Sequence, residues 1–232
     1  MRTAFHEDLD RITDALVEMT RLAGSAIARA TTALLDGDVH LADGVIAADL
    51  DIDAARENLD IQAIDLLARQ NPVATDLRVV VTAMRMSSDL ERMGDLARHV
   101  AKVARLRYPD VAVPAELRAI IVQMGQVAER IVAKTGSVIA SRDVNEARTL
   151  EREDDAMDEL HRQLFAHMVD GRWEHGTQAA VDLTLVGRYY ERFADHAVSV
   201  ARRVTYLVTG EWDDLEDHEE QEDRLAAASP TA

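Results

Sequence analysis

The chain has 232 residues, a formal charge of −17 and no cysteine. Binding to the phosphates of nucleic acids requires clustered Lys and Arg, and the negative charge of the chain argues against it. The lack of cysteine excludes disulfides, thiolate metal sites and a cysteine nucleophile. Hydrophobic residues make up 47% of the chain and aromatic residues only 4%, while ten glycines and four prolines leave few breaks. The composition therefore predicts long helices with aliphatic cores.

The first helix is predicted from a heptad-like seam of apolar residues spaced alternately three and four apart. The seam consists of Leu9, Ile12, Leu16, Met19, Ala23, Ala26, Ala30 and Ala33. The helix is expected to end near Asp36, because Gly37 suits a helix C-terminal turn. Asp38 is then placed to cap the second helix by accepting its free backbone amides.

The second helix is predicted over about 39–69. Asn71 and Pro72 are expected to end it and to open a third helix, since proline suits the first helical position, where no amide donor is needed. The third helix continues to about residue 106. The proline-bounded stretch 108–114 is the natural boundary between two halves of the chain.

A shift of 105 residues repeats the first-helix pattern in the second half of the chain. It carries the capping Asp38 onto Asp143, and in the third helix the shift becomes 100. The repeated seam positions are Ile121, Met124, Ala128, Ile131 and Val138. The duplication predicts three further helices over about 115–142, 143–169 and 177–208.

The predicted fold class is all-α, with two tandem antiparallel three-helix bundles built from six long helices. The first unit spans 1–108 and the second 113–210. Residues 211–232 contain nine acids against one base, which predicts an acidic disordered tail. One three-helix unit is too thin to be very stable alone, so the two units are expected to pack together. No segment has the apolar length of a secretory signal or a membrane span, and we expect a soluble protein in the cytoplasm.

Four pairs of acidic residues stand four positions apart, at matching positions of the two units. The pairs are Asp49 with Asp53, Glu91 with Asp95, Asp154 with Asp158, and Glu191 with Asp195. Residues four apart share a helix face, where two like charges repel each other by a few tenths of a kcal/mol. A bound cation reverses the sign of that interaction, and oxygen-rich sites suit hard or intermediate ions. We therefore predict one carboxylate metal site in each unit.

An acidic pair taken alone is weak evidence, because a chain with 43 acidic residues contains such pairs by accident. A solvated helix face is the ordinary explanation, and only the repeated register favours a site. Two nearby histidines, His99 and His161, have Ser199 and Arg56 as their repeat counterparts. The lack of a matching histidine favours a plain surface role for both.

Several of these segments together resemble the PhoU family over about residues 4–208. They are Asp49-x-x-Ile52-Asp53, Pro72-x-Ala74-x-Asp76-Leu77-Arg78, Asp89-Leu90-Glu91-Arg92-x-Gly94-Asp95 and, in the second unit, Tyr190-Glu191-Arg192-x-x-Asp195-His196-Ala197. The motifs are specific in combination and weak one at a time. The resemblance implies a duplicated three-helix fold whose acidic motifs hold divalent or trivalent metal ions, with Fe, Mn, Mg or Zn as candidates.

The resemblance also implies a function that neither spacing nor composition indicates. A PhoU-like protein is expected to be a non-enzymatic negative regulator of phosphate-starvation signalling and phosphate uptake. Its implied partners are the ATPase of a phosphate ABC transporter, a sensor histidine kinase and a second copy of itself in a homodimer, so it would be peripheral to the membrane through partners. In the second unit Phe193-Ala194 replaces the usual Ile-Gly of the family, so the second site is expected to differ in metal affinity.

Two other classes of function stay open from the sequence. A ferritin-like carboxylate-bridged bundle for metal storage or oxidation also uses helical carboxylates, but it requires Glu-x-x-His on two helices, and no duplicated version is present. A purely structural helical scaffold with solvated acids is the other class. An oxidation assay with ferrous iron separates the first, and the metal content of the purified protein separates the second.

Overall fold

Long helices make up nearly all of the structure, a computed structural model that describes residues 2–171 and 173–211, with side chains from residue 5 onward. The six helices are α1 (Arg2–Asp36), α2 (Val39–Gln70), α3 (Thr75–Arg107), α4 (Arg118–Ser141), α5 (Val144–Val169) and α6 (Gly176–Thr209). A short 3-10 helix, Ala115–Leu117, precedes α4. No strand occurs in these two ranges, and the predicted all-α class is confirmed. The predicted tail, apart from its first residue, lies outside the described residues.

Two aspartates cap the equivalent helices of the two units, as the repeat predicts. The side chain of Asp38 accepts a hydrogen bond from the N–H of Leu41 at 2.9 Å, and Asp143 accepts from the N–H groups of Asn145 and Glu146 at 2.8 and 3.2 Å. Each carboxylate satisfies amides that have no partner inside the helix. Both units therefore begin their second helix by the same local chemistry.

Removal of either cap tests this equivalence. Because each Asp supplies the same kind of N-cap, we expect Asp38→Ala and Asp143→Ala each to lower the free energy of unfolding by about 1 kcal/mol, measured by urea denaturation. Asp51→Asn, at an exposed mid-helix position of α2, is the control and is expected to change stability by less than about 0.5 kcal/mol. A cap variant as stable as this control contradicts the assignment.

The predicted start of the third helix at Pro72 is wrong, because α3 begins at Thr75. The left-handed Asn71 (φ 46°) ends α2, with its N–H bonded to the carbonyl of Leu67 at 3.2 Å. Ala74 also has a positive φ of 50° and cannot belong to a right-handed helix. The connection between α2 and α3 is therefore three residues longer at this end than the proline pattern indicates.

A single apolar core runs through both units. The α1 seam and its repeat in α4 are buried as predicted, with Met19, Ala23, Met124 and Ala128 fully inaccessible to solvent. The core residues of the two units form one connected cluster. The expected packing of the two thin bundles against each other is thus observed.

Helix α1 packs directly on α4, and glycines allow the close approach. A Cβ atom built on Gly125 would lie 2.6 Å from Cγ2 of Thr31, and one on Gly136 would lie 2.6 Å from Oγ1 of Thr20. Thr31 also meets Tyr190 of α6, with 2.6 Å between the two hydroxyl oxygens. Residues without side-chain bulk therefore fix the distance between the two units.

Helices α3 and α6 form the second contact between the units and run antiparallel. Near the middle of α3, Asp89 accepts from Nε of Arg203 at 2.8 Å and lies 3.1 Å from Nδ1 of His196. Near its end, Arg107 pairs with the buried Asp182 at the start of α6. The third helices of both units thus lie side by side at the centre of the molecule. Across the described ranges, no helix is long and apolar enough to cross a membrane.

Candidate functional site

The first carboxylate cluster, which we define as Asp49, Asp53, Glu91 and Asp95, lies where α2 packs on α3. Asp49 is only 4% exposed. The backbones come close because α3 carries Gly94, where an added Cβ would lie 2.7 Å from Cδ1 of Ile52 and 3.4 Å from Oδ1 of Asp49. A side chain at position 94 would therefore push the α2 acids away from the α3 acids.

Two arginines neutralise part of the first cluster. Arg98 donates from one terminal nitrogen to Asp49 of α2 and from the other to Asp95 of α3, so it bridges the two helices. Arg92 donates to Asp95 at 2.8 Å and lies 3.7 Å from Glu91. The role of Arg92 as a neutralising neighbour agrees with its position beside the acids in the sequence.

Charge repulsion and burial act together on the first cluster. Burial raises the pKa of Asp49, the positive charge of Arg98 opposes that shift, and the charges of Asp53, Asp95 and Glu91 add to it. Burial likewise raises the pKa of Glu91, with the charge of Asp95 as the next cause. Acids on α2 and α3 therefore lie close enough for their charges to interact, as the repeated register predicts.

The second carboxylate cluster, defined as Asp154, Asp158, Glu191 and Asp195, lies between α5 and α6. Oδ1 of Asp154 is buried and accepts no hydrogen bond. Glu191 pairs with Arg188, and its Oε2 lies 3.6 Å from Nδ1 of His161. The buried side of this cluster therefore holds an acceptor that no protein group satisfies.

Burial and charge repulsion also act on the second cluster, which contains the largest pKa shift among these acids. Burial, followed by the charges of Asp195 and Asp158, raises the pKa of Asp154 to about 7. Burial and the charge of Glu191 also raise the pKa of both Asp158 and Asp195. Across the two helices, the charge of Asp195 acts on Asp154 and the charge of Glu191 acts on Asp158. The ionised form of this cluster is therefore unfavourable without a bound cation.

The structure thus brings the eight predicted acids together as two clusters on facing helices. In the part of the chain that the structure describes, however, no three Asp, Glu, His or Cys side chains converge closely enough to hold a metal ion. The chemistry still fits a hard or intermediate cation, since the donors are all oxygens, repel one another and include the orphaned Oδ1 of Asp154. Coordination would require the carboxylates to turn toward a common centre, and metal binding stays a prediction.

Arg98 is a site residue that the sequence pattern did not predict, although its position three residues after Asp95 is the spacing of a helical ion pair. The predicted plain surface role of His161 does not include its contact with the cluster, where the imidazole lies beside Glu191. His99 packs against Tyr189 of the other unit, with 5.2 Å between ring centroids and 40° between ring planes. A missing repeat counterpart was therefore a poor guide to whether a histidine lies near a cluster.

The comparisons with known proteins agree with the duplicated fold. A family model described as the PhoU domain matches residues 16–104 and again 121–204. The phosphate-specific transport system accessory protein PhoU homolog 2 of Mycobacterium tuberculosis is 49% identical over 210 residues, which cover 90% of this chain and 99% of the relative. The PhoU homolog of Rhizobium meliloti is 29% identical over 90% of this chain and 88% of its own length.

Solved structures show the same arrangement of helices. The phosphate transport system regulatory protein PhoU from Streptococcus pneumoniae matches with a TM-score of 0.81 at 25% identity, over 91% of this chain and 100% of that chain. PhoU from Pseudomonas aeruginosa matches with a TM-score of 0.78 at 27% identity, over 89% of this chain and 100% of that chain. With two copies of the family's domain, nearly complete alignments and the paired acidic helices in place, this chain belongs to the PhoU family.

Proposed function

We propose that this protein is an accessory regulator of phosphate transport, which lowers phosphate uptake and phosphate-starvation signalling when phosphate is plentiful. The observation that carries the proposal is the 49% identity over 99% of a relative named for phosphate-specific transport. Identity at that level extends across both units and is not confined to one motif. The fold also matches a protein described as a phosphate transport regulatory protein.

The protein acts in this proposal as a non-catalytic adaptor. Its partners are the ATPase of a phosphate ABC transporter and a sensor histidine kinase, and it works in the cytoplasm as a homodimer. The geometry that supports an adaptor is the rigidity of the scaffold, since six long helices share one core. Binding surfaces on such a scaffold keep a fixed relative position, which is what a protein that links two partners requires.

Metal ions supply the second part of the proposal. A cation bound by each carboxylate cluster would clamp α2 to α3 and α5 to α6 and so fix the outer surface of each unit. The support is the electrostatics of the second cluster, where burial and neighbouring charges raise the pKa of Asp154 to about 7. A positive ion at that position would relieve the repulsion.

Genetic complementation tests the regulatory proposal. A mycobacterial strain without its own PhoU homologs is expected to express a phosphate-starvation reporter in phosphate-rich medium, and this chain is expected to restore repression and lower the uptake of labelled phosphate. Capture of the transporter ATPase and the sensor kinase by the tagged chain, identified by mass spectrometry, checks the named partners. Normal amounts of folded protein with no change in reporter or uptake would contradict the proposal.

The metal proposal predicts a ligand-dependent gain in stability. Each cluster filled with Mn²⁺ at about 100 times its dissociation constant is expected to stabilise the fold by about 2.7 kcal/mol, which raises Tm by roughly 5 to 10 °C per bound ion. A variant that carries Asp53→Asn, Glu91→Gln, Asp158→Asn and Glu191→Gln should lose the response. An equal response in that variant would place binding elsewhere, and catalysed oxidation of ferrous iron would favour the ferritin-like alternative.

A further inference from the structure

The first carboxylate cluster contains a cation of its own. The guanidinium group of Arg98 joins Asp49 to Asp95 across the α2–α3 contact. Asp49 is 4% exposed, whereas the Arg98 side chain is 27% exposed, so the arginine covers the buried aspartate from the solvent side. Such two-point contacts between Arg and carboxylates are among the stronger polar contacts in proteins. Positive charge therefore already occupies the space between the acids of the two helices.

Among the described residues, no arginine bridges the acids of the second cluster across its two helices, and the arginine paired directly with that cluster, Arg188, contacts Glu191 on the same helix. The shift of 100 residues places Val198, a buried apolar residue, at the position of Arg98.

The positive charge of Arg202 partly opposes the rise in the pKa of Asp154. Nε of Arg202, however, donates to Glu151 at 3.1 Å and not to Asp154. Oδ1 of Asp154 remains buried without a hydrogen bond. The two clusters thus share their acids but differ in the charge that balances them.

We propose that Arg98 is a built-in counter-cation for the first cluster. The second cluster therefore binds a divalent cation at a lower cation concentration, and the first cluster binds one only after Arg98 has moved out. This inference rests on the metal-binding part of the proposed function. It predicts two classes of site in one chain, filled in a fixed order as the cation concentration rises.

The expected difference in affinity follows from competition. A site that is accessible for only a fraction of the time binds with an affinity reduced by that fraction. If the Arg98 bridge is closed for about nine-tenths of the time, the apparent affinity of the first cluster falls about tenfold. The Arg98 side chain is 27% exposed, and its movement into solvent is the opening step that this competition requires.

Titration with MnCl₂ alone, followed by calorimetry at pH 8, separates the two clusters. Asp53→Asn with Glu91→Gln leaves only the second cluster, and Asp158→Asn with Glu191→Gln leaves only the first. We expect the variant that keeps the second cluster to show the tight phase of the wild-type titration, and the variant that keeps the first cluster to bind about tenfold more weakly. Adding Arg98→Gln to the variant that keeps the first cluster is expected to strengthen its binding about tenfold.

Matched variants control for the loss of a surface charge. Arg98→Lys keeps the positive charge and is expected to leave the first cluster weak. Arg105→Gln removes an arginine two turns further along α3, where it pairs with Asp43 of α2 at 3.4 Å, and should change neither cluster. The comparison of the two double variants, in which Arg98 is unchanged, tests the order of filling even if Arg98→Gln does not fold.

A second readout is thermal stability without metal. In EDTA, Arg98→Gln leaves Asp49 buried with no cationic partner, so its Tm should fall below that of the wild type, and Mn²⁺ should raise it more than it raises the wild type. Equal affinities of the two clusters, or an unchanged first cluster in folded Arg98→Gln, would overturn this inference alone. No Mn²⁺ binding by the wild type would overturn the metal proposal as well.

Discussion

Tyr190→Ala is expected to lower the free energy of unfolding by about 3 to 5 kcal/mol, because it removes a large, fully buried side chain and leaves a cavity. Tyr190 stands at the repeat position of Leu90 and reaches from α6 of the second unit to Thr31 on α1 of the first. The cavity would open between the units, so we expect both to unfold in one cooperative transition, measured by circular dichroism during urea denaturation.

Tyr190→Phe is the matched control, since it keeps the ring and deletes only the hydroxyl. Thr31 would still donate to the carbonyl of Ile27 at 2.7 Å, so no buried group loses its last partner and the expected cost is about 1 kcal/mol. If Tyr190→Ala were no less stable than Tyr190→Phe, or if only the second unit melted, the common core described above would not hold the two units together.

The metal-free protein is expected to lose stability as the pH rises from about 4 to about 7. The pKa of Asp154 is raised from 3.8 to about 7 in the folded chain, so over this interval the folded state binds a proton that the unfolded state has released. Stability must then fall with increasing pH and level off above the folded pKa. A shift of this size corresponds to about 4 kcal/mol, which partial exposure reduces to about 1 to 2 kcal/mol.

Asp154→Asn removes the charge that causes this loss. We expect it to stabilise the protein in EDTA by about 1 to 2 kcal/mol at pH 8 and to change little at pH 4, as measured by chemical denaturation across this pH range. The slope should decrease without disappearing, because the pKa values of Asp158 and Asp195 are raised as well. Glu159→Gln, on the exposed face of α5, is the control, and a stability gain in it equal to that of Asp154→Asn would count against a local cause.

Helix positions were predictable because an apolar seam covers α1 and returns in α4, while capping residues and the repeat mark the other helices. The seam that begins at Leu9 fixed the buried face of α1, and the aspartate caps at Asp38 and Asp143 marked the starts of α2 and α5. The start of α3 was misplaced because proline at position 72 is equally compatible with a loop. The positive φ of Ala74, which keeps the residues before Thr75 out of the helix, has no signature in the sequence.

The two clusters were predictable as sets of acids but not in their balance of charge. The repeated register predicted that the two acidic pairs of each unit come together, and the structure shows which acids face each other: Asp154 lies near Asp195, and Asp49 lies near Asp95. Arg98 could have paired only within α3, and its second contact with α2 depends on the distance that Gly94 allows. The ion pairs of Asp89 with α6 also escaped prediction, because they join the two units.

The internal duplication has a consequence for how the two halves evolve. Two identical three-helix chains that paired as a symmetric dimer would carry the same residue at every equivalent position, since symmetry makes the two subunits chemically equal. One gene that encodes both halves has no such restriction. It can keep an arginine at position 98 and a valine at position 198, so the two halves can acquire different properties at equivalent positions.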